Sequence, residues 1–541
     1  MNLLRSRRLV PALTATTAVA STLLAAASPA GAQADPDRHL TPATHFTVAA
    51  DGSSGLTASG DALPDIDVVK STIRAYYGAS SKGIADKTTS PYISELADLQ
   101  AATLARLPTV DPAAHKAVVF DADDTTLWTY DMEDGAMHFS FDPVLQNTWV
   151  TNEQFPAVPG MPDFVTAVAA KGYTIFGITG RGESQEPATV DNLARDGYAV
   201  DGAPVFTAEN FYTKPSVMPS YVTCALPKCT TVEYKANTRK HIEQDLGYDI
   251  ALNVGDQFSD LQGGYADQSL KLPNPTYYLP SPDIAGAPES DATLAPRTEF
   301  TMAADGSSGR TEGGEGIPNI DAVKSTIRTY YRASSAGIAD KASSPYIAEL
   351  AGIEADNRDR LVNACRRELR AGLEPAVVFD ADDTTLWTYD MEDGAMKFVF
   401  DPVAQDRDWV QPQAFPAVPG MVDLVNAVGD AGCTVVGITG RRDTQRAATL
   451  GNLAKVGYRH FSADHYFTRW NSGTTPDPTI YGGTGCATGS CSTVQYKSAA
   501  RAYLESQGFD VIANFGDQFS DLAGGHADRT VKLPNPTYYL P

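Results

Sequence analysis

The sequence has few cysteines and too little positive charge to balance its acids, and each shortage excludes a class of protein. Six cysteines in 541 residues cannot form the disulfide framework of a small secreted scaffold. Lysine and arginine number 42 against 66 aspartates and glutamates, and the formal charge of −24 opposes nucleic acid or an anionic membrane as a general partner. Beyond the N-terminal region, no segment approaches the ~18 uninterrupted apolar residues of a membrane-spanning helix. The acidic excess favours a bound cation.

The first 34 residues have the pattern of an export signal. Arginines at 5, 7 and 8 precede an apolar stretch from 9 to 27 and the small residues AGA at 30–32. Pro11 and several threonines and serines interrupt the apolar stretch, which disfavours a membrane anchor. The SRR at 6–8 is also similar to a twin-arginine signal, so the choice between the general secretory and twin-arginine routes stays open. We expect residues 1–34 to be removed and the protein to be secreted.

The positions of the six cysteines predict three disulfides. Two pairs share one spacing and precede a Tyr-Lys dipeptide by the same distance, which indicates one small loop staple in each half of the chain; the remaining two cysteines are left to pair with each other. The predicted pairs are Cys224–Cys229, Cys486–Cys491 and Cys365–Cys433. A structural zinc site is disfavoured, because no histidine accompanies either close pair and the cysteine spacing does not suit a zinc knuckle.

The chain contains one sequence unit written twice. Residues 117–137 recur without a change at 376–396, FTVAADGSSG at 46 returns as FTMAADGSSG at 300, and PNPTYYLP occurs at 273–280 and 534–541. A repeat of this length indicates a tandem of two domains, since the repeats of solenoids are far shorter. We predict a first domain over 41–280, a Pro/Ala/Ser-rich linker over 281–296 and a second domain over 297–541.

Within each unit, predicted strands and helices alternate. In the first unit the strands are expected at 117–120, 173–178 and 248–254 and the helices at 161–170, 184–196 and 234–246, with further helical stretches at 65–77 and 92–107. This alternation predicts an α/β fold whose parallel sheet is covered on both faces. Ligands of such sheets bind at the carboxyl ends of the strands.

Four polar motifs follow these predicted strands or begin the third helix. They are FDADDT at 120–125, ITGR at 178–181, YK at 234–235 and GDQFSD at 255–260. Paired carboxylates suit a nucleophile with a proton-transferring neighbour, hydroxyl, amide and cationic donors suit phosphate oxygens, and further carboxylates suit Mg²⁺. Each motif alone also fits an acidic cap, an ordinary turn, a solvated surface lysine or a calcium loop. Their occurrence together favours the catalytic interpretation.

The order and spacing of these motifs resemble the haloacid dehalogenase superfamily, and specifically the secreted acid phosphatases of its subfamily III, related to bacterial class B and C enzymes and to plant acid phosphatases. The resemblance covers nearly all of both units and implies two tandem Rossmann-like domains, each with a small cap. It also implies a Mg²⁺-dependent phosphate monoesterase that works through an aspartyl-phosphate intermediate.

The resemblance assigns a role to each motif residue. Asp121 is expected to attack phosphorus, and Asp123 to protonate the leaving alcohol and then activate water. Thr179, Gly180 and Lys235 are expected to bind phosphoryl oxygens. Mg²⁺ is expected between Asp121, the carbonyl of Asp123 and Asp256, with Asp260 as a ligand or just outside the ligand shell. The matching residues of the second unit are Asp380, Asp382, Thr439, Gly440, Lys497, Asp517 and Asp521.

Two features of the sequence disfavour other chemistries. No clear histidine is shared by the two units, which disfavours a phosphohistidine mechanism, and the retained second aspartate of FDADDT disfavours carbon–halogen cleavage. A phosphotransferase with the same intermediate and a non-catalytic storage or binding protein on the same fold stay open as alternatives. The expected partners are small phosphorylated metabolites, with nucleotides and aryl phosphates among the candidates.

Aromatic side chains crowd the segment between the first two motifs. They are Trp128, Tyr130, Phe139, Phe141, Trp149 and Phe155. Such rings could stack on an aromatic leaving group, but filling the core under a short lid is the favoured interpretation.

Overall fold

The computed structural model describes residues 63–286, 317–470 and 491–540, together with the backbone of five short strands at 46–48, 54–56, 292–294, 301–302 and 308–309. The predicted export signal and Cys486 lie outside the described residues. No helix within the described part of the chain is long and apolar enough to cross a bilayer.

Each unit is built on a parallel sheet. From one edge to the other, the strands of the first unit are Phe211–Lys214, Thr174–Gly182, Lys116–Phe120, Asp249–Gly255 and Gln268–Lys271, followed by Ala292–Leu294. Those of the second unit are Tyr466–Arg469, Thr434–Arg442, Glu374–Phe379, Phe509–Gly516 and Thr530–Lys532. The strand order, with the first motif strand in the centre, confirms the predicted α/β fold. Ala292–Leu294 falls inside the predicted linker, which stays a prediction.

Helices cover both faces of each sheet. In the first unit they are Ile66–Tyr76, Pro91–Arg106, Pro143–Thr151, Met161–Ala170, Glu186–Arg195, Thr231–Gln244 and Phe258–Leu261. In the second unit they are Ile320–Tyr330, Pro345–Arg370, Pro402–Ala404, Met421–Asp430, Arg446–Lys455, Thr493–Ser506 and Phe519–Leu522. The predicted helices are therefore present, with ends that shift by a few residues.

The central strand is apolar because it is buried on both sides. In Lys116–Phe120, the last four residues are fully enclosed. One apolar cluster lies on one face of the sheets and contains side chains from both units, and a smaller separate cluster covers the other face of each sheet. A core shared across the repeat indicates that the two units are packed against each other as well as joined in sequence.

A π-helix follows the first motif in each unit, at Asp131–Ala136 and Asp390–Ala395. Its buried Asp134 accepts two hydrogen bonds, of 2.8 and 2.7 Å, from the guanidinium of Arg74 on the helix Ile66–Tyr76. Arg328 and Asp393 make the same pair in the second unit. In the first unit, this ion pair joins the helix Ile66–Tyr76 to the π-helix that follows the central strand and its motif.

Cys224–Cys229 and Cys365–Cys433 form disulfides, as predicted. The first lies just before the helix Thr231–Gln244. The second joins the long helix Pro345–Arg370 to the residue before the strand Thr434–Arg442. The zinc alternative finds no support at Cys224 and Cys229, because their sulfurs are bonded to each other.

The two units contact each other reciprocally through their first described helices, Ile66–Tyr76 and Ile320–Tyr330. The amide of Ile320 donates to the carbonyl of Pro275 at 2.9 Å, and the amide of Ile66 donates to the carbonyl of Pro536 at 2.9 Å. Equivalent residues thus exchange equivalent contacts, as in a twofold-symmetric homodimer. The PNPTYYLP repeats therefore lie at the interface between the units.

Lysines complete the reciprocal interface. Lys324 of the second unit donates to the carbonyl of Phe139 in the first, and Lys70 of the first unit donates to the carbonyl of Phe398 in the second. Each lysine also contacts an aspartate three residues earlier on its own helix. A buried ammonium needs such partners, since an unpaired charge in the interior is costly.

One position breaks the symmetry of the interface. Asn319 caps the helix Ile320–Tyr330, whereas Asp65 caps the helix Ile66–Tyr76. Burial and the neighbouring Asp67 raise the pKa of Asp65 from 3.8 to about 7, despite two backbone hydrogen bonds and the positive charge of Lys532. In the unfolded chain this carboxyl ionises near 3.8, so the folded protein loses stability as the pH rises from 3.8 through about 7.

The variant Asp65→Asn should therefore stabilise the protein selectively at high pH. We expect a gain of about 2 kcal/mol at pH 8 and almost none at pH 4, measured as the shift of the thermal unfolding midpoint. The matched control is Asp142→Asn, which changes the exposed N-cap of the helix Pro143–Thr151. It should leave the thermal midpoint nearly unchanged at pH 4 and at pH 8. Equal shifts of the Asp65→Asn variant at both pH values would contradict the prediction.

Candidate active site

The four motifs of the first unit meet at the carboxyl end of the sheet. Asp121 follows the central strand, Thr179 lies in the neighbouring strand, and Asp256 follows the strand on the other side. Lys235 reaches the same point from the helix Thr231–Gln244. The structure thus brings together residues that are more than 130 positions apart in the sequence, as the parallel sheet predicted.

Lys235 lies between two carboxylates. Its Nζ donates to Asp121 Oδ1 and to Asp260 Oδ1, each at 2.6 Å, and its side chain is only 4% exposed. The alternative of a solvated surface lysine is therefore wrong. These carboxylates raise the pKa of Lys235 to a value above its usual one, although burial alone would lower it. The ammonium is a fixed positive charge beside Asp121.

Three buried carboxylates form an oxygen-rich cluster around this lysine. One oxygen atom from each of Asp121, Asp256 and Asp260 lies within 4.8 Å of the others. Burial raises the pKa of Asp121 well above its usual value, with Lys235 opposing the shift, and burial together with Asp260 raises the pKa of Asp256 to about 6. Mutually repelling, buried carboxylates are a donor set that fits a hard divalent cation such as Mg²⁺.

Asp123 is oriented by Arg181. The Arg181 guanidinium donates from Nη2 to Asp123 Oδ1 at 2.6 Å and from Nε to Oδ2 at 3.1 Å, and a third nitrogen donates to Thr189 Oγ1 at 3.0 Å. We expected this guanidinium among the donors for phosphate oxygens; instead it is buried and engaged by the aspartate. The Asp123 side chain is 27% exposed against 8% for Asp121, so Asp123 lies nearer the solvent.

Thr179 and Gly180 lie within a strand rather than after it. The strand Thr174–Gly182 continues beyond its predicted end, and its pairing with Phe211–Lys214 shifts register after Ile178. The Thr179 hydroxyl is buried and accepts a hydrogen bond from the amide of Arg181 at 3.2 Å. A Cβ at Gly180 would meet no atom within 4 Å, so space beside this backbone is open.

Polar residues to which the motifs assigned no role also hold the site together. Asn274 and Gln257 each donate a side-chain hydrogen bond of 2.7 Å to Asp256 Oδ2. Asp124 has a left-handed backbone, with φ of 48°, and accepts from the amide of Thr129 at 3.1 Å. Burial and Asp256 raise its pKa to about 8. Asn274 belongs to the PNPTYYLP repeat, whose identity in both units was the available signal.

Gly255 leaves room for the acidic cluster. A Cβ at this position would lie 2.5 Å from Asp260 Cβ, a distance that real side chains do not reach. The glycine therefore permits the close approach of Asp260 to the strand that carries Asp256.

The second unit repeats the arrangement. Lys497 Nζ donates to Asp380 Oδ1 at 2.7 Å and to Asp521 Oδ1 at 2.5 Å, and Arg441 Nη2 donates to Asp382 Oδ1 at 2.6 Å. The remaining equivalent residues are Asp383, Thr439, Gly440, Asp517, Gln518 and Asn535. Carboxylate oxygens of Asp380, Asp517 and Asp521 form the same cluster. The structure thus brings the corresponding side chains together in both units.

Most of the aromatic residues after the first motif belong to the core. Trp128, Tyr130, Phe139 and Phe155 are buried, and Trp149 packs against the core. This placement confirms that most of these rings fill the core. Phe141 is the exception, with 65% of its surface exposed.

The sequence of the chain matches a known family in both units. Residues 84–280 and 341–541 match the family described as HAD superfamily, subfamily IIIB (Acid phosphatase). Together these stretches make up more than half of the chain, and each includes all four motifs of its unit.

Several characterised proteins are similar to parts of the chain. The stem 28 kDa glycoprotein of Glycine max is 32% identical over 178 residues, which are 32% of this chain and 63% of the relative. Acid phosphatase 1 of Solanum lycopersicum is 31% identical over 166 residues, or 30% of this chain and 58% of the relative. Vegetative storage protein 2 of Arabidopsis thaliana is 23% identical over 172 residues, again 30% and 58%. The chain thus spans less than two thirds of the length of these relatives.

Among solved structures, the class C acid phosphatase from Bacillus anthracis shares 22% sequence identity with the chain. The match has a TM-score of 0.26 and covers 35% of this chain and 80% of that one.

Proposed function

Since the chain belongs to subfamily IIIB of the HAD superfamily, the acid phosphatases, we propose that each of its two units hydrolyses phosphate monoesters through an aspartyl-phosphate intermediate. The observation that carries the proposal is that two neighbouring carboxylates have different surroundings. Asp121 is buried beside the ammonium of Lys235, whereas Asp123 is held by Arg181 and is partly exposed to solvent. Such a pair can supply a nucleophile and a proton-transferring group.

In the proposed first step, a carboxylate oxygen of Asp121 forms a bond to phosphorus while the bond between phosphorus and the ester oxygen breaks. Asp123 gives its proton to the departing alcohol oxygen. In the second step, Asp123 takes a proton from a water molecule whose oxygen attacks phosphorus, and inorganic phosphate leaves with the Asp121 carboxylate restored. Arg181 orients Asp123 for both transfers by holding both of its oxygens.

Thr179, Gly180 and Lys235 would bind the phosphoryl oxygens. The open space beside Gly180 allows an oxygen to approach the backbone, and Lys235 offsets part of the repulsion between a phosphate dianion and the carboxylates. Mg²⁺ held by Asp121, the Asp123 carbonyl and Asp256 would neutralise more of that negative charge. The two carboxylate oxygens of Asp260 accept hydrogen bonds from Lys235 and from the amide of Gln257, which holds the lysine beside Asp121.

We further propose that the protein is secreted and acts on small phosphate esters. The predicted export signal and the two disulfides support the location, since disulfides persist in oxidising compartments. The space beside Gly180 and the exposed edge of Asp123 support a site that admits varied leaving groups.

The proposed activity is tested with the purified full chain and a chromogenic aryl phosphate in the presence of Mg²⁺. We expect release of phosphate and acid-stable labelling of the protein by a phosphorus-labelled ester. Added glycerol distinguishes the phosphotransferase alternative, because transfer would yield glycerol phosphate in place of inorganic phosphate. A complete lack of turnover and labelling would reject the proposal and favour a storage protein, a role named for the similar Arabidopsis protein.

A further inference from the structure

The PNPTYYLP segment of the first unit links the candidate metal site to the second unit. On the inner side, Asn274 Nδ2 donates to Asp256 Oδ2 at 2.7 Å, and Asn274 Oδ1 accepts from the amide and hydroxyl of Thr276. On the outer side, Asn319 Nδ2 donates to the main-chain carbonyls of Asn274, at 3.0 Å, and Tyr277, at 2.6 Å. One buried amide of the second unit thus uses both of its N–H groups on this segment.

Further contacts fix the same segment. The amide of Ile320 donates to the carbonyl of Pro275, and the amide of Tyr278 donates to Asp321 Oδ2 at 3.3 Å. Gln257, which holds Asp256 directly, also donates to the carbonyl of Tyr277 at 3.4 Å. Asn274 and Gln257, which orient Asp256, therefore belong to or contact the PNPTYYLP segment. The N-terminus of the helix Ile320–Tyr330 contacts the other side of that segment.

We infer that Asn319 of the second unit is a positioning residue for the catalytic site of the first unit. Asn319 contacts the main chain of Asn274, whose side-chain amide holds Asp256. It also contacts the carbonyl of Tyr277, which accepts a hydrogen bond from Gln257, the second side-chain amide that holds Asp256. Groups just outside a metal's ligands orient those ligands and set the affinity of the site. The inference rests on the proposed function insofar as Asp256 is taken as a metal ligand.

The second site provides a natural comparison for the role of Asn319. The second site has the same segment and the same Asn535–Asp517 hydrogen bond, at 2.8 Å, but the residue in the place of Asn319 is Asp65. An aspartate has no N–H to donate to the carbonyls of the segment, and even its protonated form offers one O–H where Asn319 donates two hydrogen bonds. Asn319→Asp therefore installs at the first site the residue that the second site already tolerates, and aspartate keeps the helix cap.

The experiment measures each site alone in the full chain. Asp380→Asn leaves the first site as the active one, and Asp121→Asn leaves the second. In the Asp380→Asn background, Asn319→Asp and Asn319→Ser should each raise the Mg²⁺ concentration for half-maximal activity on the order of tenfold, with KM for the ester little changed. In the Asp121→Asn background, neither change should alter the second site.

This pattern separates positioning from general damage, because Asn319 belongs to the second unit and a folding fault there would first lower the second site. Loss at the second site with the first unaffected, or no change at either site, would overturn the inference. Serine also keeps the cap but carries no negative charge, so agreement between the two variants excludes a purely electrostatic effect.

Two measurements do not depend on turnover. In the Asn319 variants, amide hydrogen exchange of a peptide covering 272–280 should accelerate, while the equivalent peptide over 533–541 serves as the internal control. Calorimetric titration with Mg²⁺ should show weaker binding at one of two sites. If the unaltered chain proves inactive, the proposed function fails but both measurements still test the inference; unchanged exchange and unchanged binding would overturn it.

Discussion

The double variant Asp121→Asn/Asp380→Asn is expected to lose at least about 10³-fold of the phosphatase activity, because it removes the nucleophile from both sites. Asparagine matches the volume of aspartate and can still accept a hydrogen bond from Lys235 or Lys497. The loss should therefore reflect chemistry rather than a cavity in the core.

The single variants show whether both sites work. Each should retain the activity of the unaltered unit, so that the two residual activities together approach that of the unchanged chain. The measurement is kcat and KM for each variant on a panel of phosphate esters, with thermal midpoints as a control for folding. Undiminished activity of the double variant would remove Asp121 and Asp380 from the mechanism.

Removal of divalent ions should have an effect of similar size. Without a cation, the phosphate dianion meets several buried carboxylates at each site, and Lys235 or Lys497 alone cannot offset them. We expect dialysis against a chelator to reduce turnover to the level of the double variant and added Mg²⁺ to restore it. Full activity after dialysis would show that the clusters do not need a metal.

The same ion should stabilise the fold in a pH-dependent manner. Binding at a concentration of about 100 times Kd contributes about 2.7 kcal/mol per site, visible as a higher thermal midpoint. The pKa values of Asp256 and Asp517 are raised to about 6, so these groups become protonated as the pH falls through that value and compete with the ion. The stabilisation by Mg²⁺ should therefore be large at pH 8 and shrink below pH 6.

Local patterns in the sequence were sufficient for much of the fold. The helix predicted at 161–170 was observed at Met161–Ala170, and the strand predicted at 117–120 at Lys116–Phe120. Both predictions depend on the spacing of apolar residues and on glycine or proline near the ends of the element, which can be seen in the sequence itself. The strand that was predicted to end at Ile178 continues to Gly182. Its pairing with Phe211–Lys214 resumes after a shift of register, and no local pattern in the sequence marks that shift.

The sequence by itself determined the duplication, the α/β class and the types of residue that meet at each sheet edge, because parallel strands place their carboxyl ends together whatever the details of packing. Only the tertiary structure decided which side chains contact each other. Arg181 engages Asp123 rather than open space, and Asn319 of one unit supports Asn274 of the other. Such pairings depend on side-chain directions and on packing between distant segments, so no spacing along the chain encodes them.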